Sequence, residues 1–145
     1  MVTLAGTVDG LAAWIAPSRT AVLVIDMQVD FASPDGVLGQ YGVDMDVIAP
    51  ALVAAERLVA SARVAGAPVV FVGLFTTPQT DSPFGNERMR RRGGDPETDA
   101  ALCRAGQVGS AFVGPQPAPG EIIVRKARYS GFFGTDLDAR LKALG

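Results

Sequence analysis

Two charged residues stand where apolar runs give out. Asp26 ends the aliphatic stretch of residues 21–25 in AVLVIDMQVDF, and Lys126 closely follows a shorter one at residues 122–124. A continuous apolar segment of strand length, without polar alternation, is the pattern of a parallel strand covered by helices on both faces. Parallel strands bring their carboxyl ends to one edge of a sheet, where ligands bind in open α/β proteins. Asp26 and Lys126, distant in sequence, are therefore expected to meet, with Asp26 largely buried. A lysine beside a partly buried carboxylate favours its ionised form and can stabilise negative charge developing on a substrate. Two plainer readings stay open. Asp26 could cap the following turn, or the two could form a structural ion pair, since such networks also gather charges without doing chemistry.

The rest of the composition narrows the chemistry. There is no histidine among the 145 residues. That removes Ser-His-Asp and Cys-His catalysis and the imidazole ligands of most catalytic zinc sites, so no metal is expected and acid-base work falls to Asp, Glu, Lys, Tyr or Cys. The lone cysteine, Cys103, excludes an intrachain disulfide and fits a reducing compartment; as a residue it reads as a small buried hydrophobe. A net charge of -2 argues against a nucleic-acid partner. The cluster Arg88, Arg90, Arg91 and Arg92 reads as a solvated loop, mobile or pinned at a subunit contact because its charge is unmatched nearby. The N-terminal residues lack the basic and apolar regions of a signal peptide, and no apolar run reaches membrane-spanning length. A soluble cytoplasmic protein is the expectation. Neither GxGxxG nor a Walker sequence follows the first strand, so no nucleotide cofactor is expected and a flavodoxin-like nucleotide-binding module ranks low.

The elements that must position the two charges can be read in order. Residues 8–15 suggest a short helix with Leu11, Trp14 and Ile15 turned inward before Pro17 ends it. After the first strand, Pro34, Gly36, Gly39 and Gly42 mark a loop. A helix over residues 47–65 carries a buried stripe of Ile48, Leu52, Ala55, Leu58, Val59 and Ala62, with Gly66 and Pro68 stopping it. PVVFVGL, residues 68–74, is the second strand, parallel to the first. Residues 75–94 read as a lid, a binding loop or a disordered insertion, residues 98–104 as a weak helix containing Cys103, and residues 106–120 as loop. The third strand covers residues 121–124. A last helix begins at Thr135 as N-cap, with Leu137, Leu141 and Leu144 as its apolar stripe and Gly145 as its cap.

Together these motifs are recognisable. TAVLVIDMQVDF, AGAPVVF and EIIVRKARYSGFFGTDLDARLKALG resemble the isochorismatase-like cysteine hydrolases, particularly the ureido and amide hydrolases of that superfamily, over residues 20–145 with residues 76–119 matching least. The resemblance implies a three-layer Rossmann-like α/β fold with a parallel six-stranded sheet, and an Asp, Lys and Cys triad. Asp26 matches the family's general base and Lys126 its catalytic lysine. It implies covalent hydrolysis of a small amide or ureido compound, isochorismatase-type vinyl ether hydrolysis being the variant reaction. Phe31, Tyr129, Phe132 and Phe133 are candidate pocket walls, Gln28 is a candidate substrate-binding residue, and Gln28 and Asp30 are candidate supporting groups. In the family the nucleophilic cysteine follows a further strand, so Cys103 does not match it.

The strand pattern itself predicts a part of a fold. AVLVI reads as a central strand, yet only two further strands are expected, which leaves one of its edges open unless a second polypeptide covers it. The residues are read as the N-terminal portion of a single hydrolase domain, working as a homo-oligomer or with a complementing chain. A nucleophile-free binding or regulatory subunit is the alternative.

Overall fold

A computed structural model describes residues 8–99 and 101–145. Residues 1–7, which belong to the segment expected to carry no secretion signal, lie outside it. The core is a parallel sheet of three strands in the order β1 (Val22–Ile25), β2 (Val69–Leu74) and β3 (Ile122–Lys126). Val22 pairs with Val69 and Ile25 with Val72 across the first interface, and Leu74 pairs with Lys126 across the second. β2 is the middle strand, with Val70, Phe71 and Val72 wholly buried. Among the described residues β1 is paired on one side only, and Ile25 is half exposed, as expected of a strand whose other flank is uncovered. Where resemblance implied six strands, the described residues hold three.

Besides β1 to β3 the described residues form six α-helices: α1 (Val8–Trp14), α2 (Val29–Ala32), α3 (Val37–Gln40), α4 (Ala49–Ala65), α5 (Pro83–Arg91) and α6 (Leu137–Leu144). α4 lies on one face of the sheet, with Val59 and Ala62 packed on Val24, Val69 and Phe71. α6 covers the other face, with Leu137 buried against Val70, Val72 and Val124. β1 and β2 thus have an apolar layer on both sides, which is why AVLVI and VVFV show no polar alternation. α4 ends at Gly66, whose φ of 74° allows its N–H to reach back to Ala62 and Arg63.

Five local expectations need correction. Leu11, Trp14 and Ile15 are exposed rather than packed, because α1 meets no apolar surface among the described residues. Leu58 is also exposed, since α4 touches the sheet only through the face that carries Val59 and Ala62. Residues 75–94 contain a helix, α5, whose Ser82 side chain accepts from Gly85 N–H and whose Pro83 begins the first turn. Its arginines are not all unmatched, for Arg91 pairs with Glu87 at 2.9 Å. Residues 98–104 form no helix in their described part: Cys103 has φ 50°, its N–H donates to Asp30, and its carbonyl accepts from Thr76 N–H. With both peptide groups taken by distant partners, no i to i−4 ladder can form there.

Candidate functional site

β1 delivers Asp26 to the carboxyl edge of the sheet. Its N–H still bonds Val72 O at 2.9 Å, but its φ of 55° turns the chain sharply out of the strand. Asp and Asn accept this left-handed geometry more readily than most residues. Lys126, the last residue of β3, reaches across: its Nζ lies 2.8 Å from Asp26 Oδ2 and 3.1 Å from Tyr129 O. The burial is unequal and differs from expectation. The Lys126 side chain is 3% exposed, whereas that of Asp26 is 34% exposed because it borders a cleft. Asp26 Oδ1 is buried and has no hydrogen-bond partner among the described residues. A carboxylate with one oxygen fixed by an ammonium group and the other unengaged is set up to accept a proton.

Gln28 and Asp30 hold the segment that carries Asp26. Gln28 does not line the cleft as expected of a substrate contact: it is wholly buried and its carboxamide is fully used. Its Nε2 donates to Leu74 O and Ser110 O, both at 2.8 Å, while its Oε1 accepts from Leu74 N–H at 2.7 Å. Asp30 is also buried, accepting from Cys103 N–H at 2.6 Å and Val37 N–H at 3.3 Å. Gly109 faces this carboxylate so closely that a Cβ there would lie 2.3 Å from both oxygens.

Cys103 sits nearer the site than its place in the sequence suggests. The segment around it pairs in parallel with Thr76, just past the end of β2, at the carboxyl edge. The side chain is fully buried, and that burial pushes the thiol up to about 12, with Asp30 and Asp26 adding to the rise and Lys126 opposing it. A thiol so shifted is almost entirely protonated near neutrality and is a poor nucleophile.

The cleft beside Asp26 and Lys126 has a volume of about 740 Å³ and is bordered by Phe31, Tyr129, Arg88 of α5 and Arg92 at its C-terminal cap. Phe31 and Tyr129 therefore lie where a pocket wall was expected. Phe132 and Phe133 do not border it; they are exposed on the segment after β3. The structure reveals two further contributors, Arg128, which also lines the cleft, and Arg104, which clamps Asp81 through two bonds of 2.7 Å. The Ser82-Pro83 start and the Glu87, Arg91 spacing were the available signals for the helix that brings Arg88 and Arg92 in. Among the described residues no group of three His, Cys, Asp or Glu is arranged to hold a metal ion.

A parallel sheet with helices on both faces defines an α/β protein, and its acid-lysine pair stands at the carboxyl edge of that sheet, where such proteins bind ligands. The chain belongs to the isochorismatase family, whose isochorismatase domain matches residues 20–145. The ureidoacrylate amidohydrolase RutB of Pantoea ananatis is 36% identical, the match covering 89% of this chain and 55% of the relative. The RutB of Yersinia enterocolitica is 35% identical over 88% of this chain and 60% of its own. A cysteine hydrolase from Pseudomonas syringae pv. phaseolicola superposes with a TM-score of 0.69 at 30% identity, covering 88% of this chain and 55% of that one. N-carbamoylsarcosine amidase from Thermoplasma acidophilum gives 0.60 at 25% identity, covering 85% and 60%. This chain spans about half the length of the curated relatives it matches.

Proposed function

We propose that this chain supplies the general base and the lysine of a cysteine-dependent hydrolase that cleaves a C–N bond in a small amide or ureido compound. The observation that carries this reading is the 2.8 Å contact between Lys126 and Asp26 at the rim of a cleft, with the second Asp26 oxygen unengaged. The amidohydrolase names of the relatives support it. Asp26 takes the proton of the attacking thiol, and Lys126 holds the carboxylate in place and favours the thiolate electrostatically. Sulfur bonds to the carbonyl carbon, the C–N bond breaks, and the proton passes to the leaving nitrogen. Water then cleaves the thioester or carbamoyl intermediate, releasing the acid and restoring the thiol. Phe31 and Tyr129 border the substrate. The attacking thiol comes from a cysteine other than Cys103, on a continuation of the chain or a complementing polypeptide, because the Cys103 thiol is buried and protonated. The uncovered flank of β1 suits such a contribution.

Two measurements test this. In a form that holds the thiol, Lys126→Ala lowers turnover by orders of magnitude while the fold persists; unchanged turnover reduces the contact to a structural ion pair. Residues 1–145 alone release no ammonia from a ureido compound. Hydrolysis that survives Cys103→Ser contradicts the assignment of the thiol to another segment.

A further inference from the structure

β1 leaves its ladder at Asp26, and a side chain completes it. Asp26 N–H bonds Val72 O, so a strand that continued would present Gln28 N–H to Leu74 O and Asp26 O to Leu74 N–H, two residues further on. It does neither. Gln28 N–H is turned back onto Asp26 O at 2.9 Å, and residues 27–29 leave the sheet to lie antiparallel to residues 111–113. Both vacated places beside Leu74 are taken by one carboxamide: Gln28 Nε2 donates to Leu74 O at 2.8 Å, and Gln28 Oε1 accepts from Leu74 N–H at 2.7 Å. Nε2 also donates to Ser110 O at 2.8 Å. A side-chain amide carries the same donor and acceptor as a peptide unit, so β2 keeps its hydrogen bonds while β1 is free to turn.

Leu74 lies between the two halves of the charged pair. On its other side it stands in register with Lys126, and Phe75 N–H bonds Lys126 O at 2.8 Å. The main chain of one residue thus has the turn that carries Asp26 on one flank and the lysine on the other. Gly73 leaves room for the clasp, since a Cβ there would lie 3.1 Å from Gln28 Nε2 and 3.1 Å from the Phe112 ring. An apolar side chain at position 28 would fill the same space, and burying an amide costs free energy unless its bonds are made. We infer that Gln28 is a positioning residue for Asp26 and Lys126. Its carboxamide stands in for the strand that β1 gives up, and by clasping Leu74 it holds the turn at a fixed distance from the lysine. Gln28 does not border the cleft and acts only through Leu74. The placement of the pair rests on these contacts; its effect on turnover rests on the hydrolase reading above.

The sequence contains two lysines, Lys126 and Lys142. The Lys142 side chain is 75% exposed and exchanges its ammonium protons freely with water, whereas that of Lys126 is 3% exposed. Nuclear magnetic resonance of the chain with lysine labelled at Nζ therefore reads one protected ammonium resonance, and Asp26→Asn supplies its position without the partner. In Gln28→Met the resonance is expected to leave its parent position toward that reference. In Val59→Ala, which loosens the core under α4 without reaching the pair, it is expected to stay. A parent resonance retained in Gln28→Met, an equal shift in Val59→Ala, or no protected resonance in the parent overturns the inference. Should Gln28→Met lack the far-ultraviolet circular dichroism of the parent, Gly73→Ala decides on the same readout, because its methyl presses on the amide without deleting a bonding group; an unmoved resonance there overturns the inference. In a form that holds the thiol, Gln28→Met is expected to lower kcat about 100-fold with KM changed by less than about 2-fold, since misplacement by about 1 Å costs that much. A shifted resonance with unchanged kcat leaves the positioning standing and removes the hydrolase reading of the pair. A lowered kcat with an unmoved resonance does the reverse.

Discussion

The contact between Lys126 and Asp26 can be measured without catalysis, by a double-mutant cycle on folding. At 2.8 Å, with an effective dielectric constant of about 20, Coulomb's law gives roughly 6 kcal/mol of gross attraction. Much of that is offset by desolvation, chiefly of the 3% exposed Lys126. What the cycle reads is the cost of leaving one charge behind. Lys126→Met keeps the long apolar stem but strands Asp26, which is partly in water, so the loss falls near the lower bound for a broken buried pair, about 3 kcal/mol. Asp26→Asn tolerates the φ of 55° and strands the ammonium group, which is nearly dry, so its loss is larger, about 4 kcal/mol. With a denaturant slope of about 2 kcal/mol per molar urea, these are midpoint shifts of roughly 1.5 M and 2 M. The double variant leaves neither charge, and its loss is expected to fall short of the sum by at least about 2 kcal/mol. The bond from Lys126 to Tyr129 O is missing in both variants that lack the lysine and cancels from the cycle. Losses that add to within about 0.5 kcal/mol would refute the reasoning, because they would mean the two charges do not sense each other.

Gln28→Leu strands Leu74 N–H, Leu74 O and Ser110 O, and at about 1 kcal/mol or more each should lower stability by about 3 kcal/mol in urea unfolding; a change under about 1 kcal/mol would show that the amide is not the clasp. Gly109→Ala puts a methyl 2.3 Å from both Asp30 oxygens and should cost about 1–3 kcal/mol, with a thermal midpoint equal to that of the parent counting against the close approach. Cys103, with its thiol pushed up to about 12 by burial first and the carboxylates second, should resist thiol reagents in the native state and react once unfolded. Because the folded value lies above the ordinary 9.0, the stability from keeping this thiol neutral is fully present below that value and is lost as pH rises toward about 12. Cys103→Ala should therefore flatten the fall of the urea midpoint above about pH 9, and an unchanged slope would show that the thiol is not the group responsible.

What could be read from the sequence was what periodicity and topology determine locally. The runs AVLVI and VVFV declared two strands with both faces covered, and two parallel strand ends were enough to bring Asp26 to Lys126. The buried stripe of α4 was legible through Val59 and Ala62 but not at Leu58, because a 3.6-residue repeat marks an apolar face without saying how wide a neighbour covers it. Cys103 was misplaced for a different reason. Its local sequence allows a helix, and what overrides it is Asp30, 73 residues away, taking its N–H. The same holds for Gln28, whose three bonds reach Leu74 and Ser110. Long-range capture of the main chain by a buried polar side chain has no period and leaves no mark in its target.

The motif DMQVD acquires a single physical meaning from these contacts. Its alternate residues Asp26, Gln28 and Asp30 are all polar at the end of an apolar strand, which costs burial energy unless each finds partners. Gln28 and Asp30 find theirs in main-chain groups around Val37, Leu74, Ser110 and Cys103, and thereby fix the path of the chain out of β1. Asp26 has one oxygen on Lys126 and one with no partner, so among the three it alone leaves a side-chain oxygen unengaged among the described residues. A base on a mobile loop would drift from its partner. Here the strained turn at φ 55° is held from behind by two fully engaged side chains, and this pre-organisation lets a partly exposed carboxylate keep one geometry at the rim of an open cleft.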